Sequence, residues 1–165
     1  MQKGKGWILS SLLVVQERGI VLQISQMLSG ELPYTVDAKG RMSFPLRFRE
    51  ILGESFILTR GADKRLVAYS QEKWLSLVEK VQSMHEGKNK EYLKQIYVKG
   101  AIPVECDKLG RILVPQALRE YAGLYKDVYV VGAIDTAEIW DKNTYEAFTQ
   151  SISPEDLYAA LDSLE

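Results

Sequence analysis

An internal repeat is the feature of this 165-residue sequence that most constrains its fold. Residues 36–50 read VDAKGRMSFPLRFRE, and residues 106–120, 70 positions later, read CDKLGRILVPQALRE. The two stretches align without a gap, and the positions between the identical residues keep their apolar or polar character. With one inserted residue the match continues as far as Leu77 and Phe148. We therefore infer an internal duplication of a unit of about fifty residues.

The repeated stretch predicts a strand, a tight turn and a second strand. Tyr34, Thr35 and Val36 favour an extended chain. In the turn at residues 37–40, the Asp carboxylate can accept backbone N–H groups and the Gly can take a positive φ. Residues 41–44 alternate polar and apolar side chains, which indicates a further strand. The simplest arrangement is a hairpin with Asp and Gly at its tip.

Other local signals complete each unit. A short helix is predicted to begin at Pro45, in its first position, and to end before Gly53. Residues 55–60 and 66–69 read as a strand pair, and Ser70 as the N-cap of an amphipathic helix. The second unit repeats this order, and Ser153 with its following Pro opens a last, acidic helix. The predicted fold class is α+β, mainly β.

The predicted organisation has five parts. They are an N-terminal extension at 1–26, a first repeat at 31–76, a helical connector at 77–102, a second repeat at 103–146 and an acidic C-terminal helix at 147–165.

The extension fits neither repeat. Lys3 and Lys5 precede an apolar run from Trp7 to Val15, which imitates a secretory signal. No small-x-small cleavage site follows, however, and the run is too short to span a bilayer. Because Met27 begins a segment that leads directly into the first repeat, we interpret residues 1–26 as the product of a start codon assigned too far upstream. A peripheral helix is the alternative.

Composition excludes several kinds of site. The chain has one cysteine, Cys106, and one histidine, His85, so it lacks an internal disulfide and the Cys/His set of a zinc site. Its glycines are scattered, and it has neither a phosphate-binding loop nor a Gly-x-Ser-x-Gly elbow. We expect an intracellular protein without metal or cofactor that is not an enzyme. We interpret His85 as a solvated side chain at a helix end and Cys106 as a small apolar residue of a strand.

Charge is unevenly distributed along the chain. The net charge is −1, but residues 153–165 carry four acids and no cation, and without them the balance is +3. Since a phosphate backbone responds to local charge, this distribution permits nucleic-acid binding without indicating it.

The two copies of the turn share polar residues at an exposed tip, and these residues are not required for packing the hydrophobic core. In the functional interpretation, Arg41 and Arg111 contact phosphates and guanine edges of DNA, and Asp37 and Asp107 shape the turns and orient them. In the alternative, the two Asp–Arg pairs merely fix the turns, since exposed pairs contribute only about 0–1 kcal/mol. The residues alone leave both open. The supporting cations in the functional interpretation are Lys39, Lys108, Arg47 and Arg49; Lys88, Lys90, Lys94 and Lys99 read as a solvated helix face.

Two Asp-x-x-x-Arg motifs in tandem, at 37–41 and 107–111, resemble the MraZ family of bacterial transcriptional regulators, encoded at the head of the division and cell-wall gene cluster. The resemblance covers residues 27–150 and includes Met27-Leu28-Ser29-Gly30 and residues 118–124. It implies two SpoVT-AbrB-type units whose strands interleave, as a duplicated swapped-hairpin barrel with flanking helices. It also implies ring-shaped homo-oligomers of about eight subunits.

The resemblance further implies a sequence-specific repressor that binds direct repeats of double-stranded DNA in its own promoter, in the cytoplasm and nucleoid, with no membrane or small-molecule partner. The DNA-contacting role falls on Arg41 and Arg111, with Lys39 close by. The second repeat departs from the first because Leu109 stands in place of Lys39, and Lys108 is the candidate substitute. A protein-interaction module of antitoxin-like type, built on the same barrel, is the alternative function.

Overall fold

The computed structural model describes residues 13–17, 20–23 and 26–165. The strands are β1 Leu13–Glu17, β2 Ile20–Gln23, β3 Glu31–Thr35, β4 Arg41–Ser43, β5 Ser55–Arg60, β6 Leu66–Tyr69, β7 Ile102–Glu105, β8 Arg111–Leu113, β9 Asp127–Ala133 and β10 Thr136–Asp141. The helices are α1 Leu46–Leu52, α2 Gln71–Ser83, α3 Lys88–Leu93, α4 Gln116–Ala122, α5 Lys142–Gln150 and α6 Pro154–Asp162, and α3 continues as a π-helical turn, Lys94–Val98.

Six strands form one antiparallel sheet in the order β3-β9-β10-β6-β5-β7. The central neighbours β6 and β10 are equivalent strands of the two repeats, paired through Ala68 and Ala137. In the part of the chain that the structure describes, β3 and β7 lie at the two ends of this order. The α+β, mainly sheet, class is therefore confirmed, whereas closure into a barrel stays a prediction.

Strand pairing crosses between the repeats, so the simple local hairpin is wrong. β4 of the first repeat pairs with β8 of the second, with Met42 opposite Ile112, and β3 pairs with β9. The turn at residues 37–40 forms as predicted, but the strands on either side of it find partners in the other repeat. The physical reason is burial, because Met42 and Ile112 are each 1% exposed and close one core shared by both units.

That core contains side chains from both repeats. Phe44 stacks on Phe56 with ring centroids 4.9 Å apart and meets Phe48 edge-on at 6.3 Å. Leu118 and Val130, from the second repeat, belong to the same buried cluster. Since neither unit completes this cluster alone, we infer that the two repeats fold together.

The predicted helices form close to their predicted bounds. Ser70, Asp141 and Ser153 each accept a hydrogen bond from a backbone N–H in the first turn of α2, α5 and α6. Pro45 and Pro115 lie one position earlier than predicted, because each is the extended residue immediately before its helix rather than its first helical residue. No helix in the described part of the chain is both long and apolar enough to cross a bilayer.

The described part of the N-terminal extension is β-structure. β1 and β2 pair antiparallel, with Val14 opposite Leu22. The alternative of a peripheral helix is therefore wrong for these two segments, whose Val and Ile residues favour extended backbone. The start of the predicted apolar run, at Trp7, lies outside the described residues.

Candidate functional site

The first turn is closed by one carboxylate. Asp37 Oδ1 accepts hydrogen bonds from the backbone N–H groups of Lys39 and Arg41, both at 2.9 Å. Asp37 Oδ2 accepts from Arg41 Nε at 2.8 Å. Gly40 has φ +85° and donates its N–H to the Asp37 carbonyl at 3.0 Å. The carboxylate therefore fixes both the turn and the direction of the arginine.

The second turn repeats this geometry bond for bond. Asp107 Oδ1 accepts from the N–H groups of Leu109 and Arg111 at 2.9 Å, and Asp107 Oδ2 accepts from Arg111 Nε at 2.9 Å. Gly110 has φ +75°. The substitution of Leu109 for Lys39 changes no hydrogen bond, because only the backbone N–H of that residue takes part.

Both turn carboxylates are charged at neutral pH. The backbone N–H of Arg41, followed by its side chain, holds the pKa of Asp37 below its ordinary value of 3.8. Arg111 lowers the pKa of Asp107 in the same way. Both carboxylates lie in water, so the hydrogen bonds to the charged form are the cause of the shift.

The β4–β8 ribbon brings the two arginines onto one surface. Arg111 lies opposite Ser43, and Arg41 lies opposite Leu113. Because alternate residues of a strand face opposite sides, the buried pair Met42–Ile112 faces the core, and the arginines and their two partners face outward. Arg41 and Arg111 are 35% and 31% exposed, and Leu113 is 58% exposed.

Each turn is also bonded to the strand of the other repeat. The Gly40 carbonyl accepts from Val114 N–H at 2.9 Å, and the Gly110 carbonyl accepts from Phe44 N–H at 3.0 Å. The two turns therefore hold fixed positions relative to each other, as a rigid pair rather than as two independent loops.

Arg49 and Arg119, the equivalent arginines of α1 and α4, lie beneath these turns. A Cβ built on Gly40 would meet Arg119 Nε at 2.7 Å, and one built on Gly110 would meet Arg49 Nη2 at 3.0 Å. Arg119 Nε donates to the Val114 carbonyl at 2.9 Å. Each of these half-buried guanidinium groups thus supports the turn of the other repeat and places a positive charge below it.

The structure does not group all the predicted site residues. Lys39 and Lys108 are exposed in the turns beside Arg41 and Arg111. Arg47 lies in the first turn of α1, donates to the Met27 carbonyl at 3.2 Å, and lines an open cavity of about 550 Å³ together with Asp135.

Sequence reasoning named Arg49 as a DNA-contacting residue and did not place Arg119 among the site residues. The signal that could have found Arg119 is its identity with Arg49 in the aligned repeats. Its position under Gly40 depends on the exchange of strands between repeats, which no local pattern reveals.

Two other side chains, Cys106 and His85, were candidates for chemistry. Burial raises the pKa of the Cys106 thiol, which packs against the core, and this disfavours the reactive thiolate. His85 is exposed just after α2. Among residues 26–165 and the two described segments of the extension, no cluster of His, Cys, Asp and Glu has the arrangement of a metal site.

The chemistry available at the ribbon is the binding of anions. The bond from Arg41 to its carboxylate uses Nε, and within residues 26–165 neither terminal nitrogen hydrogen-bonds to protein. The same holds for Arg111. Two guanidinium ends on one outward face can therefore donate to phosphate oxygens or to the edge of a planar base.

Fold and site together define a class, namely a duplicated α+β chain whose repeats exchange strands and present paired arginine turns. A family model described as "MraZ protein, putative antitoxin-like" matches the sequence twice, over residues 27–95 and 98–164. The chain belongs to the MraZ family. Each match also includes the helices that follow its sheet strands; the domain boundaries given above stay predictions.

Curated relatives agree with this assignment. The transcriptional regulator MraZ of Acetivibrio thermocellus is 49% identical over 124 residues, which are 74% of this chain and 87% of that protein. The transcriptional regulator MraZ of Caldanaerobacter subterraneus is 39% identical over 140 residues, covering 83% of this chain and 98% of that protein. That of Caldicellulosiruptor saccharolyticus is 41% identical over 141 residues, covering 84% and 99%. These names are those of regulators, not of enzymes.

Proposed function

We propose that this chain is a DNA-binding transcriptional regulator that contacts double-stranded DNA through the outward face of the β4–β8 ribbon. Arg41 and Arg111 donate to phosphates and guanine edges, with Lys39 and Lys108 as flanking phosphate contacts. Asp37 and Asp107 do not touch DNA in this proposal; they hold the arginines in position.

The observation that carries the proposal is the position of both arginines on one face of a two-stranded ribbon. A two-stranded β-ribbon fits the major groove of B-form DNA, which is about 12 Å wide. Arg41 and Arg111 lie two ladder positions apart, so they reach neighbouring positions along the groove. In this proposal Arg49 adds to the positive potential from below, and Arg47, which is exposed at the start of α1, stays a predicted supporting cation.

Each turn has a net charge of only +1, with two cations against one carboxylate in both 37–41 and 107–111. A single chain therefore offers a weak anion site. We infer a ring of about eight copies that engages direct repeats in the promoter, because linked weak sites gain affinity through effective concentration. A swapped-hairpin barrel formed by the exchanged strands is the building unit in this proposal.

The biological role proposed is repression of the chain's own promoter and of the division and cell-wall gene cluster, in the cytoplasm and nucleoid. The relatives' names as transcriptional regulators support the regulatory class. The target promoter and the repressive sign come from the family resemblance in the sequence.

The test is an electrophoretic mobility shift with DNA from immediately upstream of the chain's own gene, compared with a shuffled sequence of equal length and composition. We expect a shift that requires several repeats and weakens steeply as salt rises, because released counterions set the slope. Equal affinity for the shuffled DNA at every salt concentration would contradict sequence-specific binding.

The family description, antitoxin-like, favours a second candidate, a protein-interaction module. Leu109 is 74% exposed in the second turn, at the position where the first repeat has Lys39. Salt-insensitive capture of one protein by a chain that does not shift promoter DNA would support this candidate.

A further inference from the structure

The C-terminal helix α6 buries none of its residues in the described chain. It nevertheless carries an apolar stripe at the helical spacing of three and four: Leu157, Leu161 and, just beyond the helix, Leu164 are 53%, 50% and 81% exposed. Tyr158, 70% exposed, widens the stripe. An exposed apolar stripe on a stable helix is typical of a contact with another molecule.

All the charged residues of α6 are acids. Residues 143–165 contain no Lys or Arg, and the helix segment carries Glu155, Asp156, Asp162 and the terminal Glu165. A surface that fits this helix needs both an apolar floor and a positive rim.

Such a surface exists on the other helical pair of the same chain. α2 and α3 enclose an open groove of about 370 Å³, whose apolar lining is Val78, Val81 and Val98. Its rim carries the exposed Lys94 and also Lys90, whose ammonium is paired with Glu86 at 2.6 Å. Residues 88–99 contain four lysines and one acid. The groove is therefore apolar and positively charged, and it complements the apolar, acidic surface of α6.

Sheet topology separates the groove from α6 within one chain. α2 follows β6 and α5 follows β10, and these neighbouring strands are antiparallel. The two helical pairs therefore leave the sheet at opposite ends, and α6 is exposed throughout instead of filling its own groove.

We propose that α6 of one copy docks into the α2–α3 groove of a second copy. The contact is head-to-tail, because the two surfaces are different, and such contacts generate rings when the rotation closes. This inference rests on the proposed function in that it names the contact that builds the ring. It also assigns Lys90 and Lys94 to assembly rather than to DNA.

The test measures mass in solution by light scattering with three full-length variants. Leu157→Ser/Leu161→Ser removes the apolar stripe of α6. Lys94→Glu/Val98→Asp reverses a charge on the rim of the groove and adds a charge to its apolar lining. All four residues are exposed in the single chain, so we expect the variants to fold. Leu46→Ser, at a residue 60% exposed on α1, is the control. We expect both double variants to be monomers of 18.7 kDa, and the control to assemble like the wild type.

Mixing makes the test specific to this contact. A stripe variant still has a groove and a groove variant still has α6, so an equimolar mixture should form dimers and nothing larger. A mixture that stays monomeric, a stripe variant that assembles normally, or a monomeric wild type would overturn the proposal. Titrating the samples with promoter DNA separates the assembly contact from the proposed DNA binding. If the stripe variant is oligomeric and binds DNA, only the α6–groove contact is contradicted. If both double variants are monomeric and the wild type assembles but does not bind DNA, only the proposed DNA-binding function is contradicted.

Discussion

The guanidinium of Arg119 packs directly beneath Gly40, although the two residues belong to different repeats. A Cβ on Gly40 would lie 2.7 Å from Arg119 Nε and 2.9 Å from the Val114 carbonyl oxygen. The mirror relationship joins Arg49 to Gly110. Each turn that presents an arginine is thus supported by the partner repeat, and the duplicated chain acts as a single unit.

The first prediction concerns this close approach. Gly40→Ala adds a methyl group where there is no room and at φ +85°, and we expect a loss of about 1–3 kcal/mol in the free energy of unfolding. The control is Gly30→Ala, since Gly30 has φ +98° but nothing within 4 Å of the added Cβ. Urea denaturation measures both. Equal losses for the two variants would mean that backbone strain alone matters and that the contact with Arg119 does not.

The second prediction separates the two supporting arginines. Arg119 Nε donates to the Val114 carbonyl, whereas Arg49 Nε is buried without a hydrogen-bond partner among the described residues. We expect Arg119→Met to cost about 1–2 kcal/mol more than Arg49→Met, because only the former loses a hydrogen bond. Thermal and chemical unfolding of both variants give the difference. A larger loss for Arg49→Met would contradict the asymmetry.

The third prediction concerns pH. Because the folded-state pKa of Asp37 is lowered, its contribution to stability is present above its ordinary value of 3.8 and is lost as pH falls through the lowered value. The difference in unfolding free energy between wild type and Asp37→Asn should be constant above about pH 5 and shrink below it. Asp107→Asn should behave alike. A difference that stays unchanged down to about pH 3 would exclude the charged hydrogen bonds as its source.

The fourth prediction concerns a hydrogen bond between β3, in the first repeat, and α5, in the second. Tyr145 is buried, and its hydroxyl donates to Glu31 Oε1 at 2.5 Å. Burial raises the pKa of the phenol, and the bond to Glu31 raises it further. Tyr145→Phe should lower the unfolding free energy by about 1–2 kcal/mol. Tyr129→Phe is the matched control, since the Tyr129 hydroxyl lies 3.4 Å from Glu146. Its loss should be below about 0.5 kcal/mol, and equal losses would contradict the assignment.

Local sequence patterns predicted the elements well because the signals are themselves local. The Asp-x-x-Gly turn carries its own hydrogen-bond acceptor and its own positive-φ residue, so the sequence of residues 37–40 is enough to predict the turn. Ser70 and Asp141 cap their helices through bonds within the first turn. Such interactions need no knowledge of the rest of the chain.

Strand partners could not be predicted from local patterns, and only the family resemblance implied that strands of the two repeats interleave. β4 and β8 have three residues each, and the alternation that buries Met42 suits a local hairpin as well as the exchanged pair. The exchange is decided by the shared core, which is a property of distant residues. For the same reason, no local pattern indicated that Arg47 would bond to the Met27 carbonyl.

The measurement that tests the central proposal most directly compares promoter binding by Arg41→Ala/Arg111→Ala with that by Lys64→Ala/Lys80→Ala, which removes the same charge from exposed residues outside the ribbon and the groove. Each protein is titrated against the native promoter and a shuffled sequence over a range of salt concentrations. We expect the arginine variant, still folded and assembled, to lose its preference for the promoter and to show a shallower salt dependence, and the lysine variant to keep both. Unchanged promoter preference in the arginine variant would show that the β4–β8 ribbon is not the DNA-binding surface.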